Sequence, residues 1–124
     1  MNVYNFDMQN LKDRTKKFAL DVIRYCTTLP EKQEFFVISK QLVKSGTSVG
    51  ANYRSALTAK SNKDFILKLS IVEEEADECL YWIELLQELN LNNSEELLRL
   101  QNEANQLVAI IVASKKTARK KLKN

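Results

Sequence analysis

Pro30, Gly46 and Gly50 are the only proline and glycine residues in 124 positions. Glycine and proline are the strongest local interrupters of regular structure. A chain this poor in them is predicted to form long helices with few loops. The apolar spacing agrees. Leu11, Thr15, Phe18, Val22, Tyr25 and Leu29 recur in steps of four and three, which is one face of an amphipathic helix. Asp7 is the expected N-cap. Pro30 ends the run, because the residue before a proline resists helical backbone. A second row follows at Phe35, Ile38, Leu42, Ser45, Val49, Asn52, Ala56 and Ala59. Ser61 and Asp64 then match a capping box. They open a third row at Phe65, Leu69, Val72, Ala76, Cys79, Ile83 and Leu86. The run Asn90 to Asn93 ends it, with Asn92 or Asn93 expected to cap a fourth row at Leu97, Leu100, Ala104, Leu107, Ile111 and Ser114. Glu95 and Glu96 fall in the first turn of that segment, where acids suit the helix dipole. Nothing reads as a strand. Helices at about 7–29, 33–59, 62–90 and 94–119 predict one all-α domain over residues 1–124, an up-down-up-down four-helix bundle with a basic tail over 115–124.

Both glycines lie in Ser45 to Ala59, a stretch of small and polar residues. Each glycine inside a helix costs roughly 1 kcal/mol relative to alanine. Two in one turn predict a close approach of two backbones, or of a ligand to the backbone. Gly46-x-x-x-Gly50 is not a phosphate loop, because Lys and Ser/Thr do not follow it. With Val43, Tyr53 and Leu57, the glycines lie beside the apolar seam, so the second helix is expected to have two contact faces. Asn52 falls on the seam and is expected to fix helix register or subunit geometry. The third helix carries a second apolar row, Ile71, Trp82, Leu85 and Leu89, more than one bundle core needs. Gly46, Gly50, Asn52, Tyr53 and Trp82 are thus the candidates for packing and oligomer contacts.

Several kinds of chemistry have little to build on. Histidine, the usual general base and commonest metal ligand, is absent from the chain. The acidic run Glu73, Glu74, Glu75, Asp77 and Glu78 is the one carboxylate cluster that could hold a hard cation. It reads more simply as a solvated face or as partners for lysines. No nucleophile elbow is present, so no catalytic residue, metal or cofactor is expected. Cys26 and Cys79 match no metal or redox spacing and read as buried free thiols. No basic-then-apolar leader or membrane-length apolar run occurs, so a cytoplasmic chain without membrane contact is expected.

Charge is unevenly distributed. The last ten residues contain Lys115, Lys116, Arg119, Lys120, Lys121 and Lys123 and no acid. Removing those six from the chain's 19 bases leaves 13 against 16 acids. With Lys40, Lys44, Arg54, Lys60 and Lys63, the tail bases are candidates for contact with nucleic-acid phosphate.

The order of features resembles small bacterial four-helix bundle proteins that include the 23S ribosomal RNA intervening-sequence proteins. The resemblance rests on Leu29-Pro30, Gln41-Leu42, Ser48-Val49-Gly50-Ala51-Asn52, Ser61-Asn62-Lys63-Asp64-Phe65 and Glu78, and covers roughly residues 7–118. It implies a left-handed antiparallel up-and-down bundle that assembles as a ring, commonly a homopentamer. A related branch serves as the accessory protein of retroelement reverse transcriptases and binds nucleic acid through basic surfaces. This chain departs from the commoner pattern after Asn52, with Tyr53, Arg54, Ser55 and Ala56 where many members have a small residue, Glu and Gly. Val43-Lys44 stands where an arginine pair often follows Gln-Leu. The packing element therefore carries over better than the surface charge. The first function that fits is a non-enzymatic homo-oligomer whose basic surface contacts RNA or a nucleoprotein partner; the alternatives are a purely structural oligomer or protein-interaction adaptor, or a reverse-transcriptase accessory protein of a retroelement.

Overall fold

The computed structural model describes the backbone of residues 3–89 and 94–123, with the side chains of residues 11–89 and 94–122. Within them are four helices and no strand: α1 (Val3–Cys26), α2 (Gln33–Leu57), α3 (Asn62–Glu88) and α4 (Glu95–Lys123). Glu73 of α3 meets Lys115 of α4, and Gln87 meets Gln101. Residue numbers therefore rise along one helix as they fall along the other. The same holds for α1 and α2, where Gly46 faces Val22 and Gly50 faces Thr15.

The helix ends differ from the expected ones for local reasons. α1 begins at Val3, so Asp7 lies inside the helix and does not cap it. It ends at Cys26 rather than Leu29. Past that point Thr28 N–H donates to the Tyr25 carbonyl (2.9 Å) and Leu29 N–H to the Cys26 carbonyl (3.3 Å), a tightened turn leading into Pro30. Ser61 caps α3 as expected, its Oγ accepting from Asp64 N–H at 3.0 Å. Asp64 Oδ2 reaches back to accept from Lys60 N–H at 3.3 Å. Asn92 and Asn93 lie outside the described residues. α4 is capped by Ser94, whose Oγ accepts from Leu97 N–H at 3.0 Å. α4 then continues as helix through Lys123, past the expected end at 119. Lys, Arg and Leu are good helix formers, and cations suit a helix C-terminus.

The four seams meet in one core. Leu11, Phe18, Val22, Leu42, Val49, Leu69, Val72, Ile83, Leu86, Leu107 and Ile111 are all almost fully buried. Ser45 is buried among them and fully used. Its Oγ donates toward the Gln41 carbonyl at 3.0 Å and accepts from the Cys79 thiol at 3.3 Å.

Gly46 and Gly50 are buried against α1 of the same chain. A Cβ on Gly46 would lie 3.1 Å from Val22 Cγ1, and one on Gly50 would lie 3.2 Å from Thr15 Oγ1 and 3.4 Å from the Thr15 carbonyl carbon. The small-residue face is therefore filled within the subunit. Tyr53 is fully buried beside it, whereas Leu57, expected on the same face, is exposed. Overpacking a tight contact costs typically about 1–3 kcal/mol. Gly50→Leu is expected to lower thermal stability by about that much, or roughly 4 °C per kcal/mol. A calorimetric scan checks it; an unchanged melting temperature would refute the close contact.

Candidate nucleic-acid interface

The basic candidates fall into two groups. The Glu73–Lys115 register sets the start of α3 and the end of α4 at the same end of the bundle, and the short α2–α3 turn brings the end of α2 there too. Residues 54–68 supply Arg54, Lys60, Lys63 and Lys68, and residues 115–122 supply Lys116, Arg119, Lys120 and Lys121. Asp64 is the one acid in those two stretches, and it is paired to Lys68 at 3.3 Å. Apart from Lys68, these bases are solvent-exposed. Lys40 and Lys44 are exposed farther along α2, away from this end. The side chain of Lys123 lies outside the described residues.

Lys115 does not join them. Its side chain is 12% exposed, and its Nζ lies 2.9 Å from Glu73 Oε1. It ties α4 to α3 and is withdrawn from solvent, so it is removed from the phosphate-contact set. The same bond accounts for one acid of the run on α3. Glu75 lies beside Glu74, Glu78 and Lys44. Burial pushes its carboxyl above the usual range, Glu78 and Glu74 add to the rise, and Lys44 opposes it. Among the described residues, no group of three acids or thiols is placed to hold a metal ion.

The other candidates are placed as follows. Asn52 is half-buried, and its Nδ2 donates to the Ser48 carbonyl at 2.8 Å within α2. That bond stays inside one helix and does not set the register between helices. Trp82 is half-buried against the core with Nε1 shielded and, among the described residues, unpartnered. Tyr81 meets it edge-on, ring centroids 4.9 Å apart. Of the second apolar row, Ile71 and Leu89 are exposed, while Trp82 and Leu85 pack partly on the core.

One contact has no forerunner in the sequence pattern. Arg14 of α1 grips Glu103 of α4 through Nη2–Oε1 (2.6 Å) and Nε–Oε2 (3.1 Å), and also donates to Gln106 Oε1 at 3.0 Å. Both residues flank their seams, the positions where interhelical ion pairs form. Spacing alone does not say which helices are neighbours. Nearby, a groove of about 310 Å³ runs between α1 and α4 over Phe18 and Leu100. Its rim pairs Lys17 with Asp21 and Arg99 with Glu96, leaving it without a dominant charge.

The molecule is thus an all-α, four-helix protein with a basic end and no metal centre among its described residues. A family model described as 23S rRNA-intervening sequence protein matches residues 9–113, and the chain belongs to that family. A crystal structure of a protein of unknown function from the S23 ribosomal protein family of Bacteroides thetaiotaomicron VPI-5482 is 36% identical. It covers 88% of this chain and 97% of its own, with a TM-score of 0.80. No curated protein matches the chain. Among the described residues, no helix is long and apolar enough to cross a membrane.

Two outcomes follow from these contacts. Lys115→Ala removes one partner of a half-buried pair and is expected to lower stability by about 1 kcal/mol. A urea titration showing no change would contradict that role. Both cysteines are free, and burial pushes the Cys26 thiol up to about 11 and the Cys79 thiol up to about 12. The thiolate is the reactive form. Cys79 is therefore expected to resist Ellman's reagent at pH 8 until the chain unfolds, with half-buried Cys26 reacting first. Rapid labelling of both in the native protein would contradict this.

Proposed function

We propose that this chain is a non-enzymatic, cytoplasmic, homo-oligomeric protein that binds RNA, alone or within a nucleoprotein, through the basic end of its bundle. The observation that carries the reading is the convergence of Arg54, Lys60, Lys63, Lys116, Arg119, Lys120 and Lys121 on one end, with Asp64 already paired to Lys68. A cluster of exposed bases raises local potential and attracts phosphate without reading sequence. Membership of the 23S rRNA-intervening sequence family supports RNA as the polyanion. We take the bundle to be left-handed, antiparallel and up-and-down, and its assembly to be a ring, with five copies as the working number. Repetition around an axis multiplies the basic end. The exposed apolar side chains of α3 support self-association, and these alone would suffice for a purely structural oligomer.

The test is fluorescence anisotropy with a structured RNA at low and moderate salt. Binding is expected at low salt and weaker at moderate salt. Each phosphate contact contributes roughly 0.7–0.9 to the slope of log affinity against log salt. Replacing Lys116, Arg119, Lys120 and Lys121 by Ala is expected to weaken binding and to flatten that slope by up to about 3. No binding at either salt would sink the RNA reading and leave the structural oligomer.

A further inference from the structure

We propose that the outer face of α3 docks onto the basic face shared by α1 and α2 of a second copy, so that the chain self-associates head to tail. This rests on the homo-oligomeric reading above and names the two surfaces that meet.

α3 carries two heptad-spaced rows. One is the core seam. The other, Leu67, Ile71, Glu74, Glu78 and Tyr81, lies on the exposed side in the same steps of four and three and ends at Leu85, which packs partly on the core. Leu67 is 59% exposed, Tyr81 53% and Ile71 42%, so this row has no full partner within the subunit. Its charge has one sign. From Leu69 to Glu88 the helix contains no base. Glu74, Asp77, Glu78, Glu84 and Glu88 make no ion pair among the described residues.

The face formed by α1 and α2 is the complement. Phe36, Lys40, Val43, Thr47 and, past the buried Gly50, Arg54 repeat the same spacing along α2, with Phe36, Lys40 and Arg54 exposed and Val43 and Thr47 half-buried. Lys12, Lys16, Ala19 and Ile23 do so along α1. Gly50 against Thr15 sets Arg54 near the level of Lys12, and Gly46 against Val22 sets Val43 near the level of Ile23. Phe36 is 59% exposed and Ile23 40%. The bases Lys12, Lys16, Lys40 and Arg54 make no ion pair among the described residues. Glu34 is the one acid in α2, at its first turn.

A heptad row laid along a groove between two helices is the geometry of coiled-coil packing. Here the apolar residues of both faces supply burial, and the unpaired charges select the partner. Like faces repel, which disfavours α3 on α3 and favours the mixed contact. Because the two surfaces differ, the contact is heterologous, and repetition gives a ring when the rotation closes. Lys40 and Arg54 then lie in the contact between copies, which takes Arg54 out of the RNA-facing set, while Lys60, Lys63, Lys116, Arg119, Lys120 and Lys121 remain on the open end.

Light scattering at about 50 mM salt, where exposed charges are little screened, decides. Wild type is expected at a multiple of 14.3 kDa. The variants K16E/K40E/R54E and E74K/E78K are each expected as 14.3 kDa monomers. Both should keep wild-type helical circular dichroism, because every substituted side chain is exposed. An equimolar mixture of the two is expected to rise above monomer mass, since each offers the other an opposite face. Wild-type mass in either variant alone, or only monomers in the mixture, overturns these surfaces and leaves the homo-oligomer reading standing. A monomeric wild type overturns that reading and this proposal together.

Discussion

At Gly46 and Gly50 the backbone of α2 carries no side chain, and Val22 and Thr15 of α1 take up the space. The rest of the bundle depends on that contact. It sets the register of α1 on α2 and leaves Tyr53 fully buried beside it. On its other flank, α2 presents Ser45, small enough to accept the Cys79 thiol of α3. One stretch of small residues thus positions two neighbouring helices. A helix built of Leu and Glu in this place would hold both at a greater distance. The helix-propensity cost of two glycines is roughly 2 kcal/mol, and it is offset by the dispersion contacts that close packing allows.

With the helices in register, the charges separate. Bases gather at the end where α2 turns into α3 and where α4 finishes. Acids line the outer side of α3. Lys115 and Glu73 cross this division and neutralise each other in a half-buried pair between α3 and α4, and Arg14 with Glu103 does the same between α1 and α4. Those pairs hold helices together. Among the described residues, Lys60, Lys63, Lys116, Arg119, Lys120 and Lys121 at the basic end and Glu74 and Glu78 on α3 face solvent without an ion pair. A basic end suits polyanions, and an acidic face suits a basic one on another copy. Both proposed uses rest on charges that make no ion pair among the described residues.

Much of this was legible in the chain. The four rows, the Ser61 cap and the burial of Cys79 follow from local rules of periodicity and capping, and each is present. The features that differ are those that residue type or spacing does not settle alone. Asn52 sits on the seam by spacing, yet its amide turns to the Ser48 carbonyl of its own helix. Lys115 looks like one more tail base, yet it stands opposite Glu73. Asp7 is a good cap by residue type, yet α1 starts before it, at Val3. In each case residue type is a weak prior that packing or helix continuation overrode.

What the sequence determined by itself is the helical character, the core-facing rows and the uneven charge. These depend on residues close together along the chain, where a period of 3.6 and a shortage of glycine and proline leave few alternatives. The tertiary structure alone decided which helix each flanking residue meets. It turned the glycine pair into a contact within the subunit, withdrew Lys115 from the basic set, and brought the bases of α2, α3 and α4 to one end. Those outcomes depend on which helices are neighbours and in what register. Contacts between residues tens of positions apart set that register, and local spacing does not encode them.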